Sequence, residues 1–129
     1  EKFRKKIINL LSRINRIGGD VAVIELGASP LEPYNGDVAF EELKPSVKCT
    51  VLCASDPYAV LGVMKSFKIT PDVVSGIATN TFAGAELIEK LTGVRALNLI
   101  DPETSVELKA ILSEKLQLDL NPKVAEPQL

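Results

Sequence analysis

The chain has 129 residues, of which 46% are hydrophobic and 25% charged, and its formal net charge is −2. That length allows one domain with a substantial core and is too short for two. The slightly acidic balance supplies no long-range attraction to nucleic acid or to an anionic membrane, so we expect neither as a partner. No apolar run approaches the roughly 20 residues that cross a bilayer, and the charged N-terminus shows no signal peptide. We predict a cytoplasmic protein in which Cys49 and Cys53 are reduced core residues.

The first predicted element is an amphipathic helix that stops at Gly18-Gly19. Its apolar residues recur at helical spacing: Phe3, Ile7, Leu10, Leu11, Ile14 and Ile17. The basic residues between them fall on the outer face. This spacing favours a solvated helix surface over a nucleic-acid patch.

Four apolar runs, at residues 21–24, 49–53, 73–78 and 94–100, predict buried strands of a parallel sheet. Helices are predicted over about 37–43, 57–67 and 82–91, and the last one begins at Pro102. Phe82 and Val106 are assigned to the inward faces of their helices. The predicted fold class is a three-layer α/β/α Rossmann-like domain with a mainly parallel sheet of about four strands. It spans residues 1–120 as a single domain, and 121–129 form a flexible tail.

Polar, turn-prone residues follow each predicted strand, and the carboxyl edge of an open α/β sheet is where ligands bind. Glu25 follows the first strand and is predicted either to hold Mg²⁺ or to accept hydrogen bonds from the backbone of residues 26–29. Asp56 and Asp101 each precede a proline, which favours helix capping; the alternative is a cation site, formed if the two converge with Glu25. Asn80 either contacts a base or closes a turn.

The loop that follows Glu25 is stiffened by two prolines and ends in an Asn-Gly turn. It is predicted either to bind a small polar ligand or to cover the sheet edge. Its candidate binding residues are Ser29, Glu32, Tyr34 and Asn35.

Residues Glu25-Leu26-Gly27-Ala28-Ser29-Pro30 resemble the Glu-Gly-Ala-Gly-Ser-Pro segment of P-loop enzymes of the dethiobiotin synthetase and cobyric acid synthase type. Leu26 stands where that family has its first glycine. The resemblance implies Mg²⁺ with a nucleotide, Glu25 beside the metal and Asn80 beside the base.

The chain contains no G-x-x-x-x-G-K-[ST] motif, so it has no phosphate cradle of its own. It begins with Glu1 rather than Met, and we expect that motif upstream in a longer protein. The expected partner is therefore an N-terminal P-loop domain of the same parent chain, or a second copy in a homo-oligomer.

With no histidine and no visible nucleophile–base pair, the chain is not expected to be catalytic on its own. The first functional hypothesis is the C-terminal part of a P-loop-type nucleotide-dependent protein. The alternative is a free-standing, non-catalytic domain that binds a small ligand or another protein. A weaker third hypothesis is a small metal-dependent enzyme that uses Glu25, Asp56 and Asp101.

Overall fold

The computed structural model describes residues 1–27, 29 and 31–120, and the predicted tail at 121–129 lies outside them. Within the described residues the chain is a mixed α/β protein with five α-helices and one parallel three-stranded sheet. It divides into two compact units, Glu1–Val47 and Lys48–Leu129. In chain order the elements are α1 (Lys2–Ile17), α2 (Gly36–Leu43), β1 (Val51–Cys53), α3 (Pro57–Phe67), β2 (Val73–Ser75), α4 (Phe82–Thr92), β3 (Arg95–Ala96) and α5 (Ser105–Leu116).

The first unit consists of α1 packed on α2. Helix α1 ends where the sequence predicts, because Gly18 adopts the left-handed conformation (φ 75°) that glycine reaches at no steric cost. Ala39 and Leu43 are the buried side chains of α2. An ion pair of 2.6 Å between Arg4 Nη1 and Glu42 Oε1 joins the two helices.

The strand predicted at residues 21–24 does not form, so the prediction of about four strands is wrong by one. These residues are irregular and exposed, and the side chain of Val23 is 96% exposed. Elsewhere in the described part of this unit there is no strand that could pair with them. An unpaired strand leaves its backbone N–H and C=O groups without partners, so the apolar run alone does not hold the extended form.

The second unit is built around the sheet, whose strand order is β1-β2-β3 with all pairs parallel. Val73 and Val74 point to opposite faces and are both 0% exposed, so both faces of the central strand are covered. The main core lies on the face that carries Leu52, Val74 and Ala96, where α3 and α4 contribute Val60 and Ile88.

The strands are shorter than their apolar runs. Strand β2 stops at Ser75 because Gly76 turns the chain (φ 89°) into a 3₁₀ turn over Ile77–Thr79. Strand β1 has one covered face and one open face, and Cys53 lies on the open one. Cys53 is therefore exposed and Cys49 only half-buried, which corrects the prediction that both are core residues; both thiols are free.

The helix boundaries follow the capping residues that the sequence predicts. Asp56 and Thr81 accept hydrogen bonds from the first backbone N–H groups of α3 and α4, and Gly93 ends α4 in the left-handed conformation (φ 70°). A 3₁₀ turn over Pro102–Thr104 precedes α5, so that helix begins at Ser105 rather than at the proline. Among the described residues no helix is long and apolar enough to cross a membrane.

Candidate functional site

The carboxyl ends of the three parallel strands lie at one edge of the sheet. The segments 54–58, 76–84 and 97–106 follow β1, β2 and β3 at this edge, and together they are called the carboxyl edge here. Gly76 allows the ends of β1 and β2 to approach closely, since a Cβ there would lie 2.7 Å from the carbonyl oxygen of Ala54. The N–H of Ala78 donates to that same oxygen at 3.0 Å. Backbone contacts therefore fix where the segment after β2 leaves the sheet.

Thr79 joins the segment after β2 to the segment after β3. Its buried hydroxyl lies 2.9 Å from the carbonyl oxygen of Gly76 and 3.1 Å from that of Leu97, and its single proton is shared between them. Gly84 lets α4 approach the turn after β2 closely, because a Cβ at this position would overlap the carbonyl oxygen of Ala78. The first turn of α4 is thus held directly against the turn that follows β2.

The carboxylate of Asp56 caps α3. Its Oδ1 accepts from the N–H groups of Tyr58 and Ala59, each at 2.9 Å, and its Oδ2 accepts from the Ser55 hydroxyl at 3.0 Å. The hydrogen bonds from Ala59 and Ser55, with a smaller contribution from Tyr58, hold the pKa of the Asp56 carboxyl below its ordinary value. This is the capping role that the sequence allows, and the predicted metal role of Asp56 stays a prediction.

Asp101 has a similar role after β3. Its Oδ1 accepts from the Glu103 N–H at 3.0 Å, and the Thr104 hydroxyl lies 2.8 Å from its carbonyl oxygen. The carboxylate therefore organises the turn that leads into α5. No group of three His, Cys, Asp or Glu side chains that could hold a metal ion occurs in the described part of the chain.

Asn80 ends the 3₁₀ turn after β2, and it is exposed. Its backbone N–H donates to Ile77 O at 3.1 Å. Over the residues that the structure describes, its side-chain amide makes no hydrogen bond. Asn80 therefore presents one donor group and one acceptor group at the carboxyl edge.

The segments of the carboxyl edge also carry large apolar side chains that are exposed, and sequence reasoning missed them. Phe82 and Val106 are 85% and 74% exposed, so their assignment to the inward faces of α4 and α5 is wrong. Both lie in the first turn of a helix, where side chains lean toward the helix N-terminus and no preceding helical turn covers them. Their position directly after a capping segment is the signal that could have revealed this. Three more side chains on the edge are over 70% exposed: Tyr58, Ile77 and Ile100.

All charged side chains of the carboxyl edge are acidic. Its three segments contain Asp56, Asp101 and Glu103 and no lysine or arginine. The edge is therefore apolar and acidic, which disfavours the phosphate groups of a ligand.

The remaining predicted site residues lie in the first unit. Glu25 is exposed, and its Oε1 would lie 3.7 Å from a Cβ placed on Gly27. No backbone N–H of the described residues donates to its carboxylate, so the predicted loop hydrogen bonds are not seen there.

The predicted binding loop forms a series of turns that leads into α2. The N–H of Glu32 donates to Ser29 O at 2.9 Å, and the N–H of Tyr34 donates to Glu32 O at 2.7 Å. Asn35 precedes α2 in the left-handed conformation (φ 62°), and its side chain makes no capping hydrogen bond. All four predicted binding side chains of the loop are exposed: Ser29, Glu32, Tyr34 and Asn35.

Two ion-pair clusters elsewhere in the second unit stabilise the fold. Arg95 of β3 contacts Glu107 of α5 through two nitrogens and Glu89 of α4 at 2.5 Å. The hydrogen bonds to Glu107 and Glu89 raise the pKa of the Arg95 guanidinium. Because Arg95 joins a strand to two helices through both carboxylates, we assign it a structural role.

The second cluster lies at the opposite, amino end of the sheet. Asp72 accepts from the Thr50 N–H and pairs with Lys115 Nζ, both at 2.8 Å. Partial burial raises the pKa of the Asp72 carboxyl, but the bonds from Lys115 and Thr50 outweigh it, and the net pKa lies below the ordinary 3.8. Burial and the adjacent Asp72 carboxylate raise the pKa of the Cys49 thiol, so this thiol is a poor nucleophile.

Comparisons of the chain with models of protein families, with curated proteins and with solved structures give no match in any of the three. Evidence on function therefore comes from three features of the chain: the carboxyl edge, the exposed loop and the resemblance of residues 25–30 to P-loop enzymes.

Proposed function

We propose that the chain is the C-terminal part of a P-loop-type nucleotide-dependent protein, and that its carboxyl edge takes the base of the nucleotide. The observation that carries the proposal is Asn80: its amide is exposed and makes no hydrogen bond within the described residues, at the end of the 3₁₀ turn that follows the central strand of a parallel sheet. Ligands of open α/β sheets bind at this edge. The three-stranded sheet is then one half of a larger Rossmann-like sheet.

In this proposal the chain does not hydrolyse the nucleotide by itself. It contains no glycine-rich phosphate loop with its lysine, and the carboxyl edge contains no cation that could replace that lysine. The phosphates are held by an N-terminal P-loop domain of the same parent protein, and a second copy of the chain is the alternative partner.

Glu25 is the proposed metal-side carboxylate of the first unit. Mg²⁺ is held in nucleotide sites by one or two carboxylates together with phosphate oxygens and water, and it neutralises the charge that develops on those oxygens. An exposed carboxylate that accepts no backbone hydrogen bond within the described residues fits this role. Asp56 fits it less well because both of its carboxylate oxygens already accept hydrogen bonds.

The test is a titration of the ¹⁵N-labelled chain with ATP, followed by backbone amide shifts. The proposal predicts shifts around residues 76–84 that weaken in Asn80→Ala. A matched control is Asn98→Ala, since Asn98 follows β3 but its carboxamide oxygen already accepts from the Ile100 N–H. Unchanged spectra at millimolar ATP would contradict the base-binding role.

The role of Glu25 has a separate test, in which Mg²⁺ alone is titrated into the labelled chain. The proposal predicts shifts around residues 24–27 that are lost in Glu25→Gln. The matched control is Glu32→Gln, a neighbouring exposed carboxylate. If both variants respond to Mg²⁺ as the wild type does, Glu25 is not the metal-side carboxylate.

A second candidate function is a non-catalytic protein-interaction domain. It is favoured by the five apolar side chains of the carboxyl edge that are more than 70% exposed. Patches of this kind commonly mark protein interfaces. In that case sedimentation velocity of the chain gives self-association that Ile100→Asp abolishes, and ATP leaves the amide spectrum unchanged.

A further inference from the structure

We propose that β1 is the interface between two copies of this chain, which pair antiparallel along the open edge of that strand, the side away from β2. The pairing joins the two three-stranded sheets into one continuous sheet. The inference goes beyond the proposed function and does not depend on it, since it rests on residues of the second unit alone.

The first step is the free backbone of this edge. Strand β1 stands at one end of the strand order, and among the described residues only β2 pairs with it. On the β2 side, the Ala54 N–H donates to Ser75 O at 3.0 Å. Because backbone groups point to alternate sides along a strand, those of Val51 and Cys53 face away from β2. A further strand can therefore pair with them.

The second step is that the sequence does not protect this edge. Residues 49–54 contain neither a charged side chain nor a proline. Charges and prolines are common devices that keep an exposed edge from pairing with another chain. The other edge of the sheet differs, because β3 is only two residues long and its Arg95 is held in ion pairs with α4 and α5. A strand is therefore expected to add at β1 and not at β3.

The third step is the pair of opposite charges that flank β1. Exposed Lys48 precedes the strand and exposed Asp56 follows it, and both are equally far along the chain from Leu52 at its centre. In an antiparallel pair centred on Leu52, Lys48 lies opposite the partner's Asp56 at both ends. A parallel copy in the same register would place like charges opposite each other, which is destabilising. The charges therefore favour an antiparallel second copy of β1.

This register also matches the side chains of the open face. Val51 is 38% exposed and Cys53 is exposed as well. Val51 lies opposite the partner's Cys53, so the two exchange backbone hydrogen bonds and cover apolar surface of each other. Because the same patch is used on both copies, the contact closes into a dimer. The dimer brings the partner's Lys48 to the rim of the carboxyl edge, which has no cation of its own.

Sedimentation velocity of the chain over a concentration series tests the interface. We expect a reversible dimer. Val51→Lys should raise its dissociation constant by about tenfold or more, because it places like charges on both sides of the two-fold axis. Lys48→Glu, which sets two acidic side chains opposite each other, should raise it by roughly fivefold or more. The matched control is Val106→Lys, an exposed valine of α5, which should leave the dissociation constant unchanged.

Chemical cross-linking tests the register. Diagonal neighbours of an antiparallel pair lie about 7–8 Å apart, so a short bis-maleimide should link Cys53 to the partner's Cys53. We expect Cys53→Ser to abolish the cross-linked dimer and Cys49→Ser to retain it. A dimer that forms but is not linked through Cys53 overturns this register.

The outcomes also separate this inference from the proposed function. A chain that stays monomeric over the whole concentration series overturns the inference and leaves the open edge to another strand of the parent protein. A dimer that Ile100→Asp dissociates and Val51→Lys does not lies at the carboxyl edge, which overturns it as well. A monomer whose amide spectrum responds to ATP contradicts this inference alone, whereas a dimer that does not respond to ATP contradicts only the proposed function.

Discussion

Gly76 offers the sharpest test of how the carboxyl edge is built. Its backbone angles (φ 89°, ψ −164°) lie in a region that only glycine occupies without strain. In Gly76→Ala the added Cβ would also lie 2.7 Å from Ala54 O and 2.9 Å from Ala54 N, both backbone atoms of the neighbouring strand end. These atoms cannot move without breaking the pairing at the end of β1 and β2.

The magnitude follows from these two contributions. Backbone strain of this kind costs about 1–3 kcal/mol, and overpacking against backbone adds a further 1–3 kcal/mol or so. We therefore expect Gly76→Ala to lower the free energy of unfolding by roughly 3 kcal/mol or more. Gly93→Ala is the matched control: Gly93 has a positive φ of 70° but no atom within 4 Å of its added Cβ. It should lose only about 1–2 kcal/mol, the strain of the left-handed conformation.

Urea unfolding followed by circular dichroism measures both variants. With a denaturant slope of about 1–3 kcal/mol per molar urea, the excess loss in Gly76→Ala should lower its midpoint clearly below that of Gly93→Ala. If the two variants have the same midpoint, the contact of the added Cβ with Ala54 does not destabilise the fold. If Gly76→Ala unfolds like the wild type, the geometry described for the edge is incorrect.

Three further predictions concern stability. Gly62→Ala should raise the free energy of unfolding by about 0.5–1 kcal/mol in the same urea assay, because this glycine lies inside α3 with open space around its Cβ position; a lower midpoint would contradict this. Asp56→Ala should lower the urea midpoint while Asp56→Asn, which keeps the capping oxygen, should not; equal midpoints for both variants would show that the cap does not stabilise α3. The Asp72 carboxyl has a lowered pKa in the folded state, so near and below pH 3.8 the unfolded chain binds more protons and stability falls as the pH falls through the folded pKa. In Asp72→Asn the urea midpoint should therefore fall less between pH 5 and pH 2 than it does in the wild type. An equal fall in both proteins would exclude Asp72 as the cause of the acid destabilisation.

Local signals in the sequence predict most of the helices and their ends. The caps Asp56 and Thr81 and the stop at Gly93 all act as their residue types suggest, since capping depends only on neighbouring backbone groups. The strand at 21–24 fails because a strand depends on a partner elsewhere, which an apolar run does not specify. The parallel order of the remaining strands follows from their alternation with helices.

The candidate site is only partly predictable from sequence. Asn80 follows a predicted strand and is exposed in the structure, and its binding role stays a prediction. Phe82 is assigned to the core because its spacing fits the apolar stripe of α4. The spacing of apolar residues along a helix does not show that the first residue of that helix can be exposed. The exposure of Phe82 is visible only in the folded structure, where the helix packs on the sheet.

The most direct test of the central claim is a saturation-transfer NMR experiment on the intact chain with ATP and no metal. We predict that the H2 and H8 protons of the adenine ring receive the strongest saturation and that the ³¹P resonances of the phosphates stay unchanged, because the carboxyl edge binds the base and carries only acidic charges. Shifts of the phosphates without saturation of the ring, or no transfer at all, would contradict the assignment of this edge to the base of a nucleotide.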